Sequence, residues 1–133
     1  MEVFPALAIP SLETRFCGRL KGAKYNPGRR KTFLAEHWLG VLDCAAAAGD
    51  NLNIRGLSAW CRSHRLTAIP RKSDQDLLDA VLCAIIGYIW MFGDRSQSLM
   101  IGDLDTGYMV APAIGEARDR LMNAAALRGV RAA

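Results

Sequence analysis

Lys72-Ser73-Asp74-Gln75-Asp76-Leu77-Leu78-Asp79-Ala80 runs without a break into the apolar stretch that ends at Phe92, and this junction decides the fold. Ser73 can cap the open N–H groups of a helix start, and acids in the first turn suit the positive end of the helix dipole. The apolar run Ala80–Phe92 is thirteen residues long. A membrane-spanning helix needs about 20 apolar residues, so the run predicts a buried core helix from about Asp74 to Phe92. Past Asp79 it is apolar on nearly every side, which predicts burial on most faces.

Outward from that helix, the N-terminal side shows two further helical patterns. Leu34, Trp38, Val41, Ala45 and Ala48 recur at helical spacing between about Arg29 and Ala48, and Gly49 offers a stop. A shorter helix fits Gly56–Arg65, with Leu57, Trp60, Cys61 and His64 on one face, and 67–70 is a brief extended link. Val3–Ile9 reads as a short strand leading into a loop, because Pro5 and Pro10 argue against a long helix. Towards the C-terminus, 98–101 and 108–111 flank a turn-rich span and predict a hairpin. A last helix follows with Ile114, Ala117, Leu121 and Ala125 on one face, an expected Glu116–Arg120 pair, and Gly129 at its end. The class is α/β, rich in helix and poor in strand.

The 133 residues predict one domain, and a 51% apolar content excludes disorder. Seventeen basic residues against thirteen acidic give +4, a mild excess compatible with a polyanionic partner. Met1-Glu2-Val3-Phe4-Pro5 lacks the charged start of a signal peptide. Cys17, Cys44, Cys61 and Cys83 show no metal-ribbon spacing, and Cys61, His64 and His37 fall short of a four-ligand zinc site. The expectation is a soluble, cytoplasmic protein with packed thiols and no membrane contact. P-loop, dinucleotide-binding, nucleophile-elbow and H-E-x-x-H motifs are absent from the sequence.

Two features can carry chemistry. Asp76 and Asp79, three apart on the helix, can address one object, and a divalent cation relieves the repulsion of two carboxylates. The plainer alternative makes Asp74 and Asp76 solvated acids serving the dipole. Residues 15–31 carry Arg15, Arg19, Lys21, Lys24, Arg29, Arg30 and Lys31 with no acid. Such a loop can neutralise phosphates, with Tyr25 stacking on a base, or it can simply be solvated. Trp38, Trp60 and Trp90 read as core, and His37 as a partly buried structural residue.

Four blocks carry a resemblance. They are Glu2-Val3-Phe4-Pro5-Ala6-Leu7, Tyr25-Asn26-Pro27-Gly28-Arg29-Arg30-Lys31, Lys72 to Ala80, and Gly107-Tyr108-Met109-Val110-Ala111-Pro112. In this order they resemble the predicted RNase H-like nucleases called the domain of unknown function 429 family. The D-x-x-D-A block also looks like the closing motif of Holliday-junction resolvases.

The resemblance covers the C-terminal half of such a domain. It implies a partial RNase H-like fold: a helix-rich half, a short incomplete sheet, and a C-terminal hairpin and helix. The fold's first three strands and first helix, with the first-strand aspartate, have no counterpart here. By resemblance Glu2 is the fourth-strand carboxylate, Asp79 the carboxylate of the last helix, and Asp76 a third. Together they would be catalytic residues holding Mg²⁺ or Mn²⁺, with two ions about 4 Å apart in a complete site. Arg19, Lys21, Lys24, Tyr25, Arg29, Arg30 and Lys31 would contact nucleic acid. The expectation is the C-terminal portion of a metal-dependent nuclease, inactive or nearly so alone, with weak metal binding and an exposed sheet edge open to homodimerisation. The alternatives are a non-catalytic nucleic-acid-binding or protein-interaction domain, and a truncated reading frame.

Overall fold

In the computed structural model of the chain, which describes residues 2–18 and 21–133, only Glu2–Val3 of the N-terminal apolar stretch is extended (β1). Pro5–Leu12 is a helix (α1), which corrects the strand expected over Val3–Ile9. Pro5 stands at the helix start, where its fixed φ fits and the N–H it lacks would have no intrahelical partner anyway. Pro10 forfeits one hydrogen bond in a helix that ends two residues later. The chain forms two compact units: residues up to Gly22 with Ile86–Ala133, and Ala23–Ile85.

The first unit holds the sheet. Ser98–Asp103 (β2) and Gly107–Pro112 (β3) form the expected hairpin, and β1 adds in parallel with Glu2 opposite Met109, giving the order β1-β3-β2. The free edge of β2 is covered by the C-terminus: Met100 exchanges hydrogen bonds with Ala133, and Gly102 donates to Arg131. The other edge is the two-residue β1, which offers few ladder bonds to a second copy. Ala8, Ile86 and Val110 form a small core with Val3, Leu12, Trp90 and Tyr108 packed on it. The terminal helix is Gly115–Leu127 (α5). No ion pair joins Glu116 and Arg120. Instead Arg118 holds the sheet end, donating to the carbonyls of Ser96, Ser98 and Ala113 at 3.0–3.3 Å.

The hairpin turn is closed by Asp103. Its Oδ1 accepts from the amides of Asp105 and Thr106 at 2.9 and 2.7 Å, and its Oδ2 from the Thr106 hydroxyl at 2.9 Å. A Cβ on Gly102, whose φ is +105°, would lie 2.4 Å from the Gly107 carbonyl oxygen, so only glycine lets the strands meet there. The Thr106 amide, and then its hydroxyl, lower the Asp103 pKa below 3.8. A depressed carboxylate stabilises the turn fully above its ordinary value, and that support fades as pH falls through the lowered one. Protection of the Thr106 amide, taken relative to its intrinsic exchange rate at each pH, is therefore expected to fall on acidification below 3.8, and to stay constant over that range in Asp103→Asn.

In the second unit, Ala35–Asn51 (α2) starts later than the pattern from Arg29 suggests. Residues 29–34 turn instead, with the amides of Thr32 and Phe33 both donating to the Arg29 carbonyl at 2.9 Å. Gly49 lies inside α2 and does not stop it. A Cβ there would lie 2.9 Å from the Leu57 side chain, so the glycine lets Leu57–His64 (α3) pack close to α2. Asp43 and Arg65 pair across these two helices. Trp38, Val41, Leu42 and Ala45 of α2 and Cys61 of α3 are buried, while Trp60 is half-buried against His64.

Lys72–Phe92 (α4) begins in the second unit and ends in the first. The expected burial on most faces is not observed. Gln75, Leu78, Leu82, Ile85 and Ile86 form the buried stripe, whereas Leu77, Tyr88, Met91 and Phe92 are 40–70% exposed. The chain has too few elements to cover a helix apolar on every side. Among the described residues, α4 is also the one helix long and apolar enough, by length and composition, to cross a membrane. Its start is fixed differently from expectation. Ser73 lies within the first turn, and Asp74 Oδ2 accepts the Arg71 amide at 2.7 Å, reaching back as in a capping box.

Candidate nucleic-acid interface

The basic stretch beyond Ala23 is a built loop. The Leu34 amide donates to the Lys24 carbonyl at 2.8 Å, and the Lys24 amide donates to His37 Nδ1 at 2.9 Å, which ties the two ends together. Compact loops with joined ends hold their shape through their own contacts. At the turn Asn26-Pro27-Gly28, Asn26 Oδ1 accepts the Gly28 amide at 2.9 Å. The tip then presents Arg29, Arg30 and Lys31 in succession, all exposed.

Tyr25 fastens this loop to α4. It is 7% exposed, and its hydroxyl donates to Asp79 Oδ1 at 2.6 Å. Gln75 lies one turn before Asp79, equally buried, and donates from Nε2 to Asp79 Oδ2 at 3.0 Å. Both oxygens of Asp79 are thus engaged. Hydrogen bonds to a charged acceptor are the stronger kind, about 1.5–3 kcal/mol each. Tyr25 cannot stack on a base as expected, because its ring is inside and its hydroxyl is held.

Burial first, and then the hydrogen bond and charge of Asp79, push the Tyr25 phenol well above its ordinary value of 10.0. The unfolded chain therefore releases this proton at a lower pH than the native one. Stability from this source is complete below 10 and declines as pH rises through and beyond it. Denaturant unfolding on the alkaline side is expected to show that decline, and Tyr25→Phe to flatten it. A decline of equal steepness in the variant would contradict the assignment.

Of the acidic residues expected to hold metal, Asp76 and Asp79 lie one turn apart on α4. Asp76 is exposed and paired with Lys72 one turn earlier, Asp79 is occupied as described, and Glu2 lies in the other unit on β1. Among the described residues no group of three or more His, Cys, Asp or Glu is arranged to hold an ion. Within this unit Asp76 and Asp79 come from a single helix, whereas a two-metal centre takes carboxylates from several elements.

The cations are better assembled. Beside the loop, Arg30, Arg71 and Lys72 line a groove of about 660 Å³ whose remaining wall includes Phe33, Ile69 and Pro70. A Cβ on Gly28 would lie 3.9 Å from Lys72 Cδ, so the turn rests close to the start of α4. Lys24 sits at the base of the loop. Lys21 belongs to the other unit, and Arg19 lies outside the described residues. Arg71, Lys72, Phe33 and Ile69 were not singled out from sequence. The signal for the first two was present, since Pro70-Arg71-Lys72 extends the basic character to the helix start.

Comparison with known proteins finds no matching family, no matching curated protein and no matching solved structure.

Proposed function

We propose that this chain binds nucleic acid through loop 24–34 and the start of α4, as the C-terminal portion of an RNase H-like nuclease, and cuts nothing by itself. One observation carries the reading. Three consecutive exposed cations stand on a loop pinned at its base and to α4, with Arg71 and Lys72 beside it in the same unit. A phosphate backbone is bound largely by neutralisation, and cations held in place lose less entropy on binding than cations on a loose loop. The RNase H-like part of the proposal is supported by the four sequence blocks and agrees with a mixed α/β fold.

Metal-dependent hydrolysis is not assigned to the isolated chain, because Asp76 and Asp79 are engaged by Lys72, Tyr25 and Gln75. Incubating the purified chain with labelled oligonucleotides and Mn²⁺ or Mg²⁺ is expected to yield a bound species and no products. Robust metal-dependent cleavage that survives Asp79→Asn would place the active site elsewhere. Failure to bind any oligonucleotide at low salt would end the proposal.

A further inference from the structure

The groove beside the loop tip has two kinds of wall, and a phosphate backbone uses only one of them. Arg30 and Arg71 supply positive charge, and among the described residues neither side chain has an ion pair or hydrogen bond; Lys72 is shared with Asp76. Phe33, Ile69 and Pro70 supply apolar surface, with Phe33 half-buried and Ile69 82% exposed. A branched aliphatic side chain standing so far into water contributes nothing to the core. Beside two unpaired guanidinium groups it forms a surface suited to a ligand both anionic and flat-faced. In a duplex the base faces are stacked away from such a wall. An unpaired nucleotide presents its base face and its phosphate together, and base stacking tolerates every sequence. The volume, about 660 Å³, falls in the range of small-ligand sites.

We propose that this groove takes one unpaired nucleotide of a single-stranded nucleic acid, its phosphate between Arg30 and Arg71 and its base against Phe33 and Ile69. The inference rests on the nucleic-acid-binding reading above and narrows it to single strands. Gly28 lines the groove, where a Cβ would lie 3.1 Å from Asn26 Oδ1 and 3.9 Å from Lys72 Cδ.

The test is fluorescence anisotropy with the full chain and three probes: a single-stranded oligonucleotide, the corresponding duplex, and heparin as a polyanion without bases. Wild type is expected to prefer the single strand by about tenfold, in keeping with one stacked base. Ile69→Ser, at a position too exposed to disturb folding, should remove most of that preference and leave duplex and heparin affinity unchanged. Phe33→Ser should act in the same direction, and Arg71→Gln should weaken all three probes. Equal affinity for single strand and duplex in wild type, or an Ile69→Ser variant that keeps the preference, would overturn the groove assignment while leaving polyanion binding standing. Absence of binding to every probe would instead remove the reading on which the groove assignment rests.

Discussion

Asp79→Ala is expected to destabilise the chain by about 2–6 kcal/mol, the cost of stranding two buried donors at about 1–3 kcal/mol each. The donors are the Tyr25 hydroxyl and the Gln75 amide, both on side chains only 7% exposed. Tyr25→Phe should cost less, about 1–2 kcal/mol, because Asp79 is half-buried and water can replace the lost donor. Asp79→Asn should fall between wild type and Asp79→Ala, since its side-chain oxygen still accepts from Tyr25. This ranking separates a clamp from a metal ligand. A carboxylate kept only for a cation is a burden without it, and its removal would leave stability unchanged or raised. Urea unfolding followed by circular dichroism reads the order directly.

The second large effect is on binding. Replacing Arg29, Arg30 and Lys31 together by alanine removes the three exposed cations of the loop tip. Each lost phosphate contact lowers the salt slope of binding by about one, so affinity at low salt is expected to fall by one to two orders of magnitude. These side chains make no ion pairs among the described residues, and the loop is held by Lys24, Tyr25, Asn26 and His37. The triple variant should therefore fold as wild type does. Unchanged affinity would reduce the tip to a solvated loop.

The readable parts of the fold were those with local rules. α3 and the hairpin follow from periodicity and turn chemistry, and the acids of α4 from the helix dipole. Errors came where a residue's role depends on what it meets. Pro5 reads as a breaker until it stands at a helix start, and Gly49 reads as a stop until Leu57 packs on it. The apolar run of α4 shows that the helix has no polar face, and nothing in it says how much of that surface the rest of the chain can cover. The Tyr25–Asp79 contact joins residues 54 positions apart, which no local pattern encodes. Gln75 and Asp79 stand four apart on one helix, a spacing at which side chains meet, but from sequence Asp79 was paired with Asp76 instead. The basic loop was visible as charge. Its tie at Lys24 and His37, and its proximity to Arg71 and Lys72, were not.

The central claim is that a preformed cationic loop, held by Asp79, binds the phosphate backbone. It is tested most directly by measuring single-strand affinity against salt concentration for wild type and Tyr25→Phe. A clamp that preorganises the loop predicts a steep, nearly equal slope for both proteins, because the same cations are present, with the variant weaker at every salt concentration. A flat dependence in wild type, or a Tyr25→Phe variant that binds as tightly as wild type throughout, would contradict it.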